Sequence, residues 1–224
     1  MLRRMRAIPS LALALSLGLS SCHIDRIESA DIPLVRIQTT GGFEQGVSTD
    51  FGVLFLGRTA QKGPAKLLYW LGPSPLIEAG EIEVVGGPVH RIRTDVPIPS
   101  VPISFEPVAP EEQLVLMGME GQLPWRLDVQ LAKDEIVRGT ALHYPAGLQL
   151  RPDSVGLGIF RETEAGLALV GLVKAAAELD NGKRFLLFAG LSEMREAFAK
   201  ARRAMPVREV EYRADGKRIL RYRR

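Results

Sequence analysis

Short apolar or alternating runs, each closed by glycine, proline or aspartate, fill this chain from Ile32 onward, and helical spacing is nearly absent. The runs are Pro33–Gln38, Gly52–Gly57, Lys66–Leu71, Glu81–Val85, His90–Arg93, Gln113–Met119, Trp125–Leu131, Ile136–Leu142, Val155–Phe160, Leu167–Val173 and Phe185–Ala189. Strand-length segments at this spacing predict an all-β sandwich or barrel. Pro97, Pro99 and Pro102 mark an edge or an extended link, because proline cannot donate to a central ladder. One helix is predicted late in the chain. Ser192 is a suitable N-cap, Met194, Ala197, Phe198, Ala201 and Met205 share one face, and Pro206 ends the helix. Beyond it, Val207–Ala214 and Lys217–Tyr222 flank Asp215-Gly216, a strong hairpin signal.

The first residues carry a different pattern. Arg3, Arg4 and Arg6 precede an uncharged apolar run from Ala7 to Leu19, and Ser20 and Ser21 then lead to Cys22. A charged start, a short apolar stretch and small residues mark a secretory signal peptide. The run is too short to cross a bilayer of roughly 30 Å as a helix. Leu19-Ser20-Ser21-Cys22 resembles the lipobox of bacterial lipoproteins. The resemblance implies cleavage before Cys22 and lipid on its sulfur. A thiolate is the nucleophile that such alkylation needs, and more than one acyl chain makes the anchor stable. The expected organisation is a signal peptide at 1–21, a lipidated tether at 22–31, a main domain at 32–206 and a basic hairpin tail at 207–224. His23 after Cys22 favours, by the same resemblance, an outer membrane or a periplasmic face.

Loss of three arginines with the signal would leave the basic and acidic residues balanced. The balance is local, however: residues 195–224 hold 11 basic and 4 acidic side chains. Such a tail suits anionic headgroups or acidic polymers, or merely offsets an acidic body. Cys22 is the only cysteine, so no internal disulfide is available and stability must come from a packed core.

Several chemistries find little support. Gly41-Gly42 and Gly86-Gly87 lie between predicted strands, so they read as turns and not as phosphate loops. His23, His90 and His143 have no zinc-ligand spacing, and neither a metal nor a cofactor is expected. Aromatic content of 6% without a basic-aromatic strand pattern argues against nucleic acid. The paired acids Glu111-Glu112 and Asp134-Glu135 read as solvated loop carboxylates.

One constellation remains. Residues 149–173 read Gln-Leu-Arg-Pro-Asp-Ser-Val-Gly-Leu-Gly-Ile-Phe, then a turn, then Leu-Ala-Leu-Val-Gly-Leu-Val. This resembles the nucleophile loop and following strand of trypsin-like serine peptidases. Phe51–Leu56 is similar to a strand near the start of such domains, and Leu67–Leu76 to the segment carrying the histidine. Arg93–Ile98 is similar to the aspartate segment, Gln113–Met119 to the strand that opens the second half, and Phe185–Ala201 to the last strand and closing helix. The resemblance implies a trypsin-like double β-barrel, two packed six-stranded antiparallel barrels with a cleft between them, over about residues 32–205. That chemistry needs a serine activated by a histidine that an aspartate orients. Asp95 matches the aspartate. The histidine position falls near Trp70–Pro73, where no histidine stands. Val155 falls at the nucleophile, and sliding by one places Ser154 there instead.

The expectation is therefore a lipid-anchored, non-catalytic relative of these peptidases. It would bind a peptide, an envelope protein or a wall polymer. Two alternatives stand beside it. One is an active endopeptidase with a displaced triad, using Ser154 with His143 or His90 and Asp95. The other is an unrelated all-β envelope scaffold.

Overall fold

A computed structural model describes residues 25–26, 32–70, 74–94, 98–133, 141–145, 148, 155–203, 207–212 and 218–223, with side chains for all but 25–26, 207–212 and 218–223. The chain is mostly β, as its alternating runs predict. Strand β1 (Asp25–Arg26) precedes a closed barrel of six strands: β2 (Leu34–Thr39), β3 (Gly42–Thr49), β4 (Gly52–Leu56), β5 (Gly63–Tyr69), β6 (Leu76–Gly86) and β7 (Val89–Ile92). Around the barrel the order is β2-β3-β4-β7-β6-β5, and every pairing is antiparallel.

A second sheet follows, made of β8 (Leu114–Glu120), β9 (Leu123–Val129), β10 (Ala141–His143), β11 (Gly158–Thr163), β12 (Gly166–Glu178) and β13 (Arg184–Gly190). Its order is β1-β9-β8-β11-β12-β13-β10. Strand β1 lies on β9, with Asp25 opposite Arg126. Past the end of β9 the chain reaches β10: Leu131 bridges Leu142, and His143 N–H donates to the Gln130 carbonyl at 3.0 Å. Counted from β8 through that bridge, the neighbours run β8-β9-β10-β13-β12-β11, the same relative order as in the barrel.

The apolar runs are explained by burial on both faces. In β4, Val53 and Phe55 point into the barrel with Ile37, Leu67 and Ile92. Leu54 and Leu56 point the other way, into a core shared with Val115, Met117, Phe160, Leu169 and Leu172 of the second sheet. Strand β8 repeats the pattern: Leu114 and Leu116 pack inside the second sheet, whereas Val115 and Met117 face the shared core. Side chains alternate along a strand, so strands buried on both faces read as unbroken apolar segments. The shared core is the seam between the two sheets.

An extended link crosses this seam. Thr49 and Val101 form a parallel bridge, as do Ile103 and Leu169. Arg161 fastens the link to β11: it donates to both oxygens of Glu112, to Ser104 Oγ at 2.8 Å and to the Pro107 carbonyl at 3.1 Å.

The late helix is present but begins later than the sequence suggests. Ser192–Met194 form a 3-10 turn entered from Leu191, and Ser192 is not the cap. Helix α1 (Arg195–Arg203) follows, with Lys200, Arg202 and Arg203 in its last turn, the favourable end for cations. It buries Phe198 against Phe51 and Phe105. The terminal hairpin pairs β14 (Val207–Tyr212) with β15 (Arg218–Arg223), Tyr212 opposite Arg218. Asp215-Gly216 lie outside the described residues.

Candidate binding site at the seam

The seam is built where β11 begins. Gly156 N–H donates to the Val173 carbonyl at 2.8 Å, and Val173 N–H donates to the Leu157 carbonyl at 2.9 Å. Gly156 has φ +93°, and a Cβ there would strike the Gln45 carbonyl of β3. A Cβ on Gly158 would lie 2.8 Å from Val47 Cγ2, also on β3. Glycine therefore lets the start of β11 lie directly on the barrel. Val155, in the turn just before it, is half-buried and packs on the shared core. The side chain at this sequence-predicted site position thus contributes packing and offers no nucleophile.

A shallow depression opens beside this point, lined by Arg36, Phe43, Glu44, Gln45, Met119 and Gly121. Phe43 is 41% exposed, and the Arg36 guanidinium carbon stands 4.3 Å from its ring centroid. Glu44 is buried instead of solvated. Its carboxylate accepts from Arg58 N–H at 3.2 Å, Thr59 N–H at 2.7 Å and Thr59 Oγ1 at 2.6 Å, which fixes the turn after β4.

Of the other predicted site residues, the two described histidines lie away from β11. His90 lies on β7, buried beside Phe55, with Nδ1 2.9 Å from the Pro88 carbonyl and 3.2 Å from Gly57 N. One tautomer donates to Pro88 and the other accepts from Gly57, so this nitrogen serves the fold. His143 is exposed on β10, its ring 6.4 Å from that of Phe185. Neither β7 nor β10 pairs with β11. Of the stretch Trp70–Pro73, near which the resemblance expects histidine, only Trp70 is described, and its buried Nε1 has no partner among the described residues. Cys22, Asp95 and Ser154 lie outside the described residues.

Nearby, Tyr69 donates to Glu78 Oε2 at 3.2 Å, and Thr94 Oγ1 donates to the same oxygen. Burial pushes the Tyr69 phenol well above its ordinary range. Glu111 pairs with Lys133 at 3.1 Å on the surface and Glu112 is held by Arg161, so these two acids act as ion-pair partners. Among the described residues no cluster of histidine, cysteine or carboxylate is arranged to hold a metal, and no helix is long and apolar enough to cross a membrane.

A larger cavity of about 280 Å³ lies elsewhere, between α1, the β3–β4 turn and the link. Phe51, Phe105 and Phe198 line it, with Arg195, Arg202 and Asp50 at its margin. Sequence reasoning missed both this cavity and the role of Gln45. The cavity draws on three distant stretches of chain that share no local pattern.

No family model matches the chain, and no curated protein matches it at a significant level.

Proposed function

We propose that this protein is a lipid-anchored envelope protein whose main domain is a non-catalytic, trypsin-like double barrel that binds polypeptide at the seam. The packing of Val155 carries the reading, because the position that resembles the nucleophile is given over to the hydrophobic seam. Further support comes from the repeated strand order of the two sheets, joined by the bridge between Leu131 and Leu142. His90 Nδ1 is engaged with the backbone at Pro88 and Gly57, which argues against its serving as the base of an acyl transfer. The depression around Phe43 and Met119 offers an exposed aromatic ring, a flexible thioether and the Arg36 cation, groups suited to a peptide with apolar and acidic side chains.

The anchor follows from Leu19-Ser20-Ser21-Cys22, and the net positive stretch at 195–224 would add attraction to anionic headgroups. Two measurements test the reading. A fluorophosphonate probe is expected to leave the protein unlabelled, and stoichiometric labelling of Ser154 overturns the non-catalytic assignment. The substitution Cys22→Ser is expected to abolish incorporation of labelled lipid and release the protein from membranes. Persistence of both in the variant overturns the anchor.

A further inference from the structure

The 280 Å³ cavity beside α1 combines an aromatic floor with a charged margin. The Phe51 and Phe198 centroids are 5.1 Å apart at 52°, and those of Phe105 and Phe198 are 5.3 Å apart at 65°. These are tilted and edge-to-face contacts; Phe51 and Phe198 are themselves buried beneath the cavity, and the half-buried Phe105 is the ring open to a ligand. Pro102, Ile103 and Ala199 complete the walls. The volume exceeds the roughly 150 Å³ that suffices for benzene in an apolar cavity, so a phenyl ring and a small polar group fit together.

The charges at the margin do not cancel. Arg202 Nη2 donates to Asp50 Oδ2 at 3.2 Å. Arg195 Nη2 donates to the Phe105 carbonyl at 2.9 Å and faces no acid in the cavity lining. Two guanidinium groups against one carboxylate leave a single positive charge. Each guanidinium has five N–H donors, so both retain donors for a ligand. Residues seven apart lie two turns apart on the same side of a helix, about 10.5 Å along its axis. The two arginines therefore reach the cavity from different turns of α1, Arg195 beside the Phe105 carbonyl and Arg202 beside Asp50.

We infer that this cavity docks the C-terminus of a partner polypeptide ending in an aromatic residue, its ring against Phe105, Ile103 and Pro102 above the buried pair of Phe51 and Phe198 and its carboxylate on Arg195, with Arg202 contributing from two helical turns away. An apolar floor selects the ring, and one uncompensated guanidinium selects one carboxylate, which arginine binds in a fork. The site shares no lining residue with the depression beside Val155 and stands whether or not that depression binds peptide.

The test is fluorescence anisotropy of the full chain with an N-terminally labelled peptide, Gly-Ser-Gly-Ser-Phe, bearing a free C-terminal carboxylate. Saturable binding is expected. Amidation of the C-terminus, or replacement of the final phenylalanine by alanine, is expected to weaken it at least tenfold. Ala199→Trp, at an exposed helix position on the cavity wall, is expected to abolish binding by filling the space. Arg195→Gln, with an unchanged unfolding temperature, is expected to weaken it at least fivefold and to remove the preference for acid over amide. Equal affinity for the acid and the amide overturns the proposal, as does absence of saturable binding up to millimolar peptide. Displacement by sodium dodecanoate at lower concentrations than by unlabelled peptide also overturns it, by assigning the cavity to a lipid. Should Ala199→Trp fail to fold, Arg195→Gln and the amide decide.

Discussion

Gln45 on the barrel and Met119 on the second sheet are joined by two hydrogen bonds: Met119 N–H donates to Gln45 Oε1 at 3.2 Å, and Gln45 Nε2 donates to the Met119 carbonyl at 3.4 Å. Strand β11 pairs with β8 only as far as Met117. Beyond that point the glutamine amide takes the place of a neighbouring strand. It satisfies both backbone groups of Met119 and ties the two sheets together next to Val155. Gln45→Ala leaves that donor and acceptor without their partner, an expected loss of about 1–3 kcal/mol. Gln45→Glu keeps an acceptor for the N–H but sets a carboxylate against the Met119 carbonyl. At neutral pH it is expected to be at least as destabilising as alanine. Urea unfolding of the three proteins checks the order; wild-type stability of Gln45→Glu would show that the tie carries no weight.

Glycine at the seam is required by space as well as by backbone angle, and two positions separate these causes. Gly121 has φ +64° with open space where a Cβ would go, whereas Gly156 has φ +93° and the Gln45 carbonyl in that place. Alanine at 121 bears only the left-handed backbone penalty, roughly 1–2 kcal/mol. Alanine at 156 must also push β3 away from β11. Gly156→Ala is expected to lose clearly more stability than Gly121→Ala and to increase hydrogen exchange at Val173, whose N–H bonds to Leu157. Equal losses would mean that the contact between β11 and β3 yields freely.

The strands were legible in the sequence where both faces are apolar. Val53-Leu54-Phe55-Leu56 and Leu114-Val115-Leu116-Met117 stand out because one face fills a sheet interior and the other fills the seam. Strand β3 was not legible. Its Glu44 is polar yet buried, because it binds the backbone of the turn after β4. Its Gly46 interrupts the pattern because a Cβ would lie 2.9 Å from the Leu54 carbonyl. A residue buried for its hydrogen bonds reads as a loop in one dimension. Ser192 misled for a related reason: its cap chemistry is sound, but the chain turns through a 3-10 segment before the α-helix starts. Of the candidate site, Val155 was singled out from a local pattern. The partners that give it a setting, Gln45 and Met119, are 74 residues apart and meet only where the two sheets pack together.

The link across the seam should respond to acid through Glu112. Hydrogen bonding from Arg161 holds the Glu112 carboxyl below its usual range, assisted by the Ala109 N–H, and burial opposes this in part. A carboxyl with a depressed folded pKa contributes stability that is present above its unfolded pKa, near 4.3 for glutamate. That contribution is lost as pH falls through the folded value. Glu112→Gln removes it. The gap in unfolding temperature between wild type and Glu112→Gln is expected to be greatest at neutral pH and to close as pH drops below about 4. At neutral pH the corresponding loss of stability is expected to be about 1–3 kcal/mol, as suits charge-assisted hydrogen bonds. A gap that stays constant down to the acid limit would assign the loss to packing and not to ionisation.

Arg91 and Glu83 make the last case, because their burial is unequal. The Arg91 side chain is 4% exposed and that of Glu83 is 36% exposed. Arg91 Nη2 lies 2.7 Å from Glu83 Oε2, and Arg93 Nε lies 2.9 Å from Glu83 Oε1, so one carboxylate serves two cations. Arg91 Nη1 is buried with no partner among the described residues, while its guanidinium carbon sits 4.3 Å from the Phe51 centroid. Burial lowers the Arg91 pKa and Glu83 opposes that shift. Glu83→Gln strands a buried cation; breaking a fully buried pair from one side costs about 3–5 kcal/mol, and the 36% exposure of Glu83 brings the expected loss below that range. Arg91→Met removes the buried charge, keeps an apolar stem against Phe51 and leaves Glu83 paired with Arg93. Loss of the contact between guanidinium and ring, about 0.5–2 kcal/mol, is then set against relief of the desolvated nitrogen. Arg91→Met is therefore expected to fall within about 1.5 kcal/mol of wild type, and the double variant Glu83→Gln/Arg91→Met to regain most of what Glu83→Gln loses. Urea midpoints for the four proteins form the cycle. If Arg91→Met proves as damaging as Glu83→Gln, the buried guanidinium stabilises the fold through its own contacts and the desolvation argument fails.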